Sequence, residues 1–292
     1  MSEILNALSY WGLENATITP MHEHSDTSWD VDGEYVLKRY RSAEDALRSV
    51  KFSSLLVSGG VPCGTFMATK DGELISPDGL YCLRTKLMGE HPNLFEEPAL
   101  AYEFGCELAR LHIALSKIEQ QTSCVDIDIM DTWRDSIKPS LRDVPEHIVK
   151  SVDTDFCEVF PKLPRQLIHR DVHCQNVLFD GGHLTGWLDF DLSLRNVRIF
   201  DIAYMLAGLL VGNIGDSEKL DIWHKIRHLF VQGHNEVSVL SDDEQNALPL
   251  MMIVIEFLFV WWWGEEGNTE ERGVALELAY WLCDEWKIGI AD

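Results

Sequence analysis

Residues 167–191 read LIHRDVHCQNVLFDGGHLTGWLDFD, and this stretch decides the fold. It opens with a short apolar strand that leads into a polar loop containing Asp171. Asn176 follows Asp171 by five positions and directly precedes a second apolar strand. The turn residues Asp180-Gly181-Gly182 then predict a hairpin whose returning strand ends at Asp189. Compact strands and turns are therefore expected to bring the three polar side chains to one edge.

The three side chains fit one kind of chemistry, phosphoryl transfer. That reaction needs an acceptor for a hydroxyl proton, a metal that bridges two phosphates, and a cation on the phosphates. In the pattern H-R-D-x-x-x-x-N, Asp171 is the base and Asn176 a metal ligand, and Asp189 supplies a carboxylate for the metal. Mg²⁺ prefers such oxygen ligands. Lys38, which alternates with apolar neighbours on a predicted strand, is the candidate cation.

Further motifs resemble the aminoglycoside phosphotransferase and choline kinase family, which consists of small-molecule relatives of the protein kinases. His173 completes a D-x-H-x-x-N loop, and ELARLH at 107–112 is similar to a helix end of that family. Asp189-Phe-Asp191 replaces the D-F-G of protein kinases. His169 is expected to support the loop by packing and hydrogen bonding, and His173 to orient the loop or to contact a phosphate. The resemblance implies that Asp201 braces the loop. It also implies that Asp191 contacts metal or substrate or caps the turn.

The nucleotide-binding residues that the resemblance implies lie in the first 90 residues. The phosphate hairpin corresponds to residues 23–29, with Ser25, Thr27 and Ser28 as candidate contacts, although it contains no glycine. The segment 83–89, which contains Arg84 and Lys86, resembles the link whose backbone binds the adenine edge.

The family pairs its strand lysine with a glutamate, and this sequence has none near Lys51, where one is expected. Glu44 is the nearest candidate on the predicted helix. Lys38 is accordingly positioned by Glu44, by another group, or by the nucleotide alone.

Composition limits the partners. The chain has 24 Lys and Arg against 48 Asp and Glu, a formal charge of −24 at pH 7. Such a chain repels phosphate backbones and anionic lipids, so neither nucleic acid nor a membrane surface is an expected partner. The seven scattered cysteines lack CxxC spacing, and the N-terminus lacks the features of a signal peptide. We therefore expect a cytoplasmic protein.

The apolar run at 248–263 carries Glu256 in its middle, which favours a buried core helix over a membrane span. It ends in three tryptophans, followed by Glu265 and Glu266. Aromatic rings beside carboxylates suggest a site for a cationic ligand. Ordinary core packing is the favoured interpretation of the tryptophans.

The organisation predicted is an α+β, two-lobed, protein-kinase-like fold. A small antiparallel-sheet lobe that binds nucleotide spans residues 1–88, and a larger, mainly helical lobe with the catalytic loop and substrate pocket spans 89–292. The small lobe is read as strand, strand, helix, strand, strand, with a hairpin turn at Asp32-Gly33 between the first two strands. In the larger lobe, Ser241 and Glu244 have the spacing of a capping box ahead of the apolar run. The third strand in this order is expected at 65–68, and the fourth at 80–87.

The predicted function is Mg²⁺-dependent transfer of the γ-phosphoryl group of ATP or GTP to a hydroxyl of a small molecule. The acidic charge slightly favours cationic acceptors that are similar to aminoglycosides or amino alcohols. The alternative is a catalytically silent, kinase-like module that binds nucleotide.

Overall fold

The computed structural model describes residues 2–21, 27–121 and 127–288. They form two compact units, one built from the chain up to His91 together with Val177–Asp191, and the other from Pro92–Asn176 and the chain from Leu192 onward. The elements of the first unit are α1 Ser2–Leu8, β1 Ile18–Pro20, β2 Ser28–Val31, β3 Tyr35–Arg39, α2 Ala43–Ser58, β4 Tyr81–Thr85, β6 Val177–Asp180 and β7 His183–Trp187.

The first unit contains a four-stranded antiparallel sheet in the order β1-β2-β3-β4. The predicted Asp-Gly hairpin is confirmed, because Asp32 and Gly33 take φ values of 55° and 74° and β2 pairs with β3. Asn, Asp and Gly are the residues that adopt this left-handed backbone most readily. The pairing places Ser28 opposite Lys38, and Lys38 opposite Cys82 on β4.

Two predictions about this sheet are wrong in detail. Residues 65–68 form no strand, since only an isolated bridge joins Phe66 to Arg84. The fourth strand of the sheet is instead β1, a three-residue edge strand that pairs with β2. A segment this short, with Pro20 at its end, carries too little alternation for recognition from the sequence.

The hairpin of β6 and β7 is confirmed, with Gly181 and Gly182 at positive φ in its turn. It belongs to the first unit because Phe179 pairs with Glu90 and Trp187 with Cys63. The compact units thus differ from the predicted division at residue 88, which places the hairpin in the second part. The assignment of nucleotide binding to 1–88 and catalysis to 89–292 stays a prediction.

The second unit is mainly helical. Its long helices follow the predicted apolar periodicity, and two short strands pair ahead of the polar loop. Its elements are α3 Leu100–Ile118, α4 Ile129–Thr132, a π-helix at Trp133–Ile137, α5 Lys138–Ser140, α6 Glu146–Val159, β5 Arg165–Ile168, β8 Leu194–Val197, α7 Ile199–Gly208, α8 Ser217–Val237, α9 Asp242–Glu265 and α10 Thr269–Trp286.

Glycines allow α3 and α8 to pack closely. A methyl group at Gly105 would overlap the carbonyl oxygen of Phe230, and one at Gly233 would overlap that of Tyr102. Close backbone contact brings the two helices together over their length and places His112 of α3 beside His234 of α8. This contact matters for the site, because both histidines belong to the network that holds the polar loop.

Helix α9 contains the apolar run. Ser241 and Glu244 form the predicted capping box at its start. Among the described helices, α9 alone has the length and composition to cross a membrane, and 67% of the apolar window is buried inside the protein. Its middle is completely buried from Met251 to Val254, as expected for the core helix of a folded domain.

Candidate functional site

The polar loop after β5 is held by Asp201, at the start of α7. This carboxylate is fully buried and accepts the backbone N–H of His169 at 3.0 Å and of Arg170 at 2.7 Å. Arg170 has φ of 71°, a left-handed backbone that is uncommon for a side-chain-bearing residue. Two strong, charge-assisted hydrogen bonds stabilise this turn. The structure therefore places Asp201 where the resemblance implies a brace.

Two histidines extend the network around Asp201. Nε2 of His112 lies 2.9 Å from Oδ2 of Asp201, and Nδ1 of His112 lies 3.2 Å from Nε2 of His234. All three side chains are buried. Burial lowers the pKa of His234 to about 2, so this ring is neutral at physiological pH. The hydrogen bonds from Asp201 through His112 to Nε2 of His234 rigidify the base of the loop, while Nδ1 of His234 has no hydrogen-bond partner among the described residues.

Replacing Asp201 with asparagine should destabilise the protein by about 2–3 kcal/mol, because the amide cannot accept from His169, Arg170 and His112 together and leaves buried donors unpaired. Urea unfolding followed by circular dichroism measures the change. Asp221→Asn, at an exposed position on α8, is the matched control. An unchanged midpoint for the Asp201 variant would show that the brace contributes nothing to stability.

Asp171 and Asn176 face each other within the loop. The side-chain N–H groups of Asn176 donate to the carbonyl oxygen and to Oδ2 of Asp171, both at 2.9 Å. Burial raises the pKa of Asp171, but His173 and the Tyr204 hydroxyl beside it lower the pKa more, and the net shift is downward. Nε2 of His173 lies 3.6 Å from Oδ2 of Asp171. Asp171 is thus ionised at neutral pH and able to accept a proton.

The orientation of Asn176 fits a hard cation. Its nitrogen is used in both bonds to Asp171, which leaves the amide oxygen as a ligand atom. No group of three or more His, Cys, Asp or Glu side chains within 2–21, 27–121 and 127–288 could hold a metal. Mg²⁺ commonly uses one or two protein oxygens and completes its shell with water and substrate phosphates. The residues present therefore suit a metal that arrives with a nucleotide.

In the first unit, Lys38 forms ion pairs with two aspartates that follow the β6–β7 hairpin. Its Nζ lies 3.0 Å from Oδ1 of Asp189 and 2.7 Å from Oδ2 of Asp191, and its side chain is 12% exposed. Asp189 has φ of 51°. Glu44 lies exposed on the first turn of α2, so the candidate partner from the sequence is wrong. The hairpin, rather than the helix, supplies the carboxylates that position Lys38.

Helix α2 contacts this group through a hydroxyl instead of a glutamate. Oγ of Ser49 donates to Oδ1 of Asp191 at 3.2 Å, and Nη2 of Arg48 donates to the Asp191 carbonyl at 3.1 Å. The hydroxyl of Tyr40 lies 2.8 Å from Oγ of Ser49. Asp191 is accordingly a positioning group that joins α2 to Lys38.

Replacing Lys38 with methionine should raise the dissociation constant of the nucleotide about tenfold, because a charge-assisted contact is lost and two carboxylates remain nearby. A titration with a fluorescent ATP analogue measures it. Lys51→Met, at an exposed position on α2, controls for the loss of a positive charge. Wild-type affinity combined with a lowered melting temperature would make Lys38 purely structural.

The first unit also contains a cleft of about 190 Å³. Val36, Leu178 and Leu188 supply its apolar walls, and residues 84–87 line one side. Arg84 and Lys86 therefore both border the cleft, as expected for the link. Nζ of Lys86 is also paired with Oδ2 of Asp30 at 2.5 Å.

The predicted phosphate contacts are only partly described. Ser25 lies outside the described residues. The carbonyl of Thr27 accepts the backbone N–H of Arg39 at 2.7 Å, and Ser28 begins β2. The register places Ser28 across from Lys38. A role of these residues in phosphate binding stays a prediction.

A second cavity, of about 390 Å³, lies within the second unit. Tyr204, which interacts with Asp171, lines it together with His173, Phe259 and Glu256. The tryptophans at 261–263 are not among its lining residues. Trp262 is 48% exposed, so the favoured interpretation of core packing is wrong for this residue, while the suggested ligand site beside the tryptophans stays a prediction. The position of Glu256 in the lining of this cavity was not predicted from the sequence. A lone carboxylate in an apolar run was the available signal.

Comparisons with known proteins agree with this arrangement. The chain matches the Phosphotransferase enzyme family (APH) over residues 21–227. A curated homoserine kinase of Parvibaculum lavamentivorans is 26% identical over 263 residues, which cover 85% of this chain and 78% of the relative.

Two solved structures share the fold. Amicoumacin kinase hAmiN, in complex with AMP-PNP, Ca²⁺ and Ami, is similar with a TM-score of 0.71 and 16% identity, over 97% of this chain and 93% of that one. The microcompartment-associated aminopropanol kinase has a TM-score of 0.63 and 17% identity, over 95% and 94%. These likenesses confirm the predicted two-part kinase-like α+β fold.

Proposed function

This chain belongs to the phosphotransferase enzyme family, and from that premise we propose that it transfers the γ-phosphoryl group of ATP to a hydroxyl of a small amino alcohol, with Mg²⁺ as its metal. It is a small-molecule kinase with a hydroxyl acceptor. The donor, the metal and the amine of the acceptor are the proposed parts. We also propose a cytoplasmic location, which fits the six described cysteines, all of them free thiols.

The observation that carries the proposal is the environment of Asp171. An ionised carboxylate, held by Asn176 and bordered by Tyr204, stands beside a cavity that can accommodate a small acceptor. A hydroxyl that enters the cavity from the Tyr204 side meets a proton acceptor there. General-base assistance of this kind contributes about 10²–10⁴ in rate.

Each proposed catalytic residue has one task. Asp171 orients the acceptor hydroxyl and takes its proton as the new O–P bond forms and the bond between the γ-phosphorus and the bridging oxygen breaks. Lys38 neutralises phosphate charge. Asn176 and Asp189 would hold Mg²⁺, which supplies charge neutralisation on the phosphates when it is bound. Asp201 keeps the loop in shape.

ATP is the proposed donor because a fold neighbour was solved with AMP-PNP and because the cleft of the first unit has apolar walls on which a purine can pack. The predicted alternative donor, GTP, presents a similar ring. Direct competition between the two nucleotides in the assay below distinguishes them.

An amino alcohol is the proposed acceptor because the names of two similar proteins share that chemistry. Homoserine and aminopropanol each carry an amine and a hydroxyl on a short chain. The acidic composition of this chain is compatible with a cationic acceptor. Aminoglycosides, which contain the same groups on a larger frame, are the second class to test.

The decisive experiment incubates the protein with Mg²⁺, ATP or GTP and single acceptors from four classes: amino alcohols, homoserine, aminoglycosides and neutral sugars. Phosphorus-31 NMR identifies a phosphate ester, and a coupled assay follows ADP or GDP. We expect an ester from an amino alcohol or homoserine, with no product after chelation of the metal. Nucleotide hydrolysis without any ester, or esters of neutral sugars alone, would contradict the proposal.

The alternative of a catalytically silent module gains no support from the site. A protein that only binds nucleotide has no use for a partly buried, ionised base, whereas Asp171 is held by Asn176 and its pKa is lowered by its neighbours. Family membership also favours the enzyme.

A further inference from the structure

Glu256 is a buried carboxyl group in the middle of α9. It is 2% exposed, and the residues around it on the helix are completely buried from Met251 to Ile255. Its side chain nevertheless lines the cavity of the second unit, together with Tyr204 from α7 and Phe259 one turn further along α9. The carboxyl group is thus buried from bulk water and accessible only from the cavity.

The carboxyl group of Glu256 has no partner among the described residues. Within the described part of the chain, no hydrogen bond or ion pair reaches Glu256, although the other buried carboxylates, Asp201 and Glu244, are hydrogen-bonded or ion-paired. Burying an unpaired polar group costs free energy, and a buried charge without a counterion costs more. A group retained at such a cost is expected to meet its partner in a ligand.

The cavity surface around Glu256 specifies the kind of ligand. Tyr204 and Phe259 present aromatic rings, and none of the described Lys or Arg side chains lines the cavity. A carboxylate next to aromatic rings binds an organic ammonium by ion pairing and by cation–π attraction. Tyr204 also interacts with Asp171, so a side chain that lines the cavity with Glu256 contacts the proposed base. An acceptor that carries a hydroxyl at one end and an ammonium at the other can satisfy both groups.

We propose that Glu256 is the specificity-determining residue for the acceptor: it binds the ammonium group of an amino alcohol whose hydroxyl is presented to Asp171. The inference rests on the proposed function. Beyond that function, it identifies Glu256 as the residue that selects the amine, and it predicts that acceptor binding is linked to proton release. The carboxyl proton passes to solvent, and the ammonium keeps its own protons.

The linkage follows from burial. Burial alone raises the pKa of Glu256 to about 8, so the free protein holds this group neutral at pH 7. The titratable groups that share its cavity are Tyr204 from α7 and His173 and Cys174 from the catalytic loop. No charged group on α6, α10 or the π-helix shifts its pKa. A bound ammonium favours the carboxylate and lowers this pKa.

The first test measures proton release directly with the full-length protein. Isothermal titration with 1-amino-2-propanol at pH 7, in phosphate and in Tris, reports released protons from the difference in apparent enthalpy. We expect release of more than half a proton per site at pH 7, given the raised pKa. 1,2-Propanediol, which replaces the amine with a hydroxyl, is the matched neutral probe and should release none.

The second test uses Glu256→Gln, which keeps the shape and removes the charge. The preference for 1-amino-2-propanol over 1,2-propanediol in kcat/KM should fall about 10²-fold, mainly through KM. Proton release should disappear. Glu265→Gln, at an exposed position on the same helix, is the control.

Thermal melts at pH 6 and pH 9 check the folding of Glu256→Gln. This variant should melt above wild type at pH 9, where the native carboxyl group must ionise.

The outcomes separate the two proposals. If amino alcohols are phosphorylated but the Glu256 variant keeps the amine preference, or if wild type releases no proton, the assignment of Glu256 is wrong while the kinase function stands. If no acceptor is phosphorylated yet 1-amino-2-propanol binds with proton release, the site for an ammonium stands and the proposed reaction is wrong.

Discussion

Asp171→Asn should lower the rate of phosphoryl transfer by about 10²–10⁴ and leave nucleotide affinity close to wild type. The substitution keeps the side-chain shape and an oxygen that can still accept from Nδ2 of Asn176. It removes the group that takes the hydroxyl proton. Initial rates with saturating acceptor, and a separate titration with a fluorescent ATP analogue, measure the two quantities.

Asp155→Asn, at an exposed position on α6, is the control for the loss of a negative charge. The pH profile of the wild type provides a further check. Because the pKa of Asp171 is lowered, the base stays ionised on the acid side, and its protonation should limit the rate only below the ordinary range of an aspartate. Equal rates for wild type and the Asp171 variant would exclude Asp171 as the base.

Two carboxyl groups in the second unit have opposite pKa shifts. His173 and Tyr204 lower the pKa of Asp171 despite its burial, whereas the pKa of Glu256 is raised by burial without compensation. Tyr204 interacts electrostatically with both carboxyl groups. Burial, together with the charge of Asp171, raises the pKa of the Tyr204 hydroxyl. Tyr204 therefore stays protonated and can donate to Asp171. Opposed pKa shifts in one cavity suit a division between a proton acceptor and a binding group.

Local patterns predicted the segments whose conformation depends on neighbouring residues. The hairpin turn at Asp32-Gly33, the capping box at Ser241 and the strands of 177–187 are encoded by short-range backbone preferences. The succession of strand, loop and hairpin that carries the proposed catalytic residues of 167–191 was equally predictable, because turn geometry restricts the path of the chain.

Contacts between distant parts of the chain were not predictable in this way. The carboxylates that pair with Lys38 lie about 150 positions further along the chain. Helical spacing gave Glu44 as the partner of Lys38. The residue of α2 that reaches these carboxylates is instead Ser49, which donates to Asp191. Likewise, Glu256 becomes a candidate binding group only when α7 is known to pack on α9 and to place Tyr204 in the same cavity. Periodicity assigns a residue to a helix face but not to its neighbour on another helix.

Asp189→Asn should lower turnover at least about 10²-fold and raise the Mg²⁺ concentration needed for half-maximal rate, because a metal on the phosphates contributes several kcal/mol to the transition state. Asparagine is the informative replacement, since Asp189 has φ of 51° and asparagine tolerates this left-handed backbone. The change therefore removes charge without adding strain. Rates measured across a series of MgCl₂ and MnCl₂ concentrations give both quantities.

Asp191→Asn separates metal binding from the positioning of Lys38. Both carboxylates contact Nζ of Lys38, at 3.0 Å for Asp189 and 2.7 Å for Asp191, so either substitution removes one ion pair. Asp191 is also held by Ser49, and α2 contacts its backbone, which favours a structural role. Only Asp189→Asn is therefore expected to shift the metal dependence. An equal shift in both variants would mean that the charge around Lys38, and not coordination by Asp189, sets the response to metal.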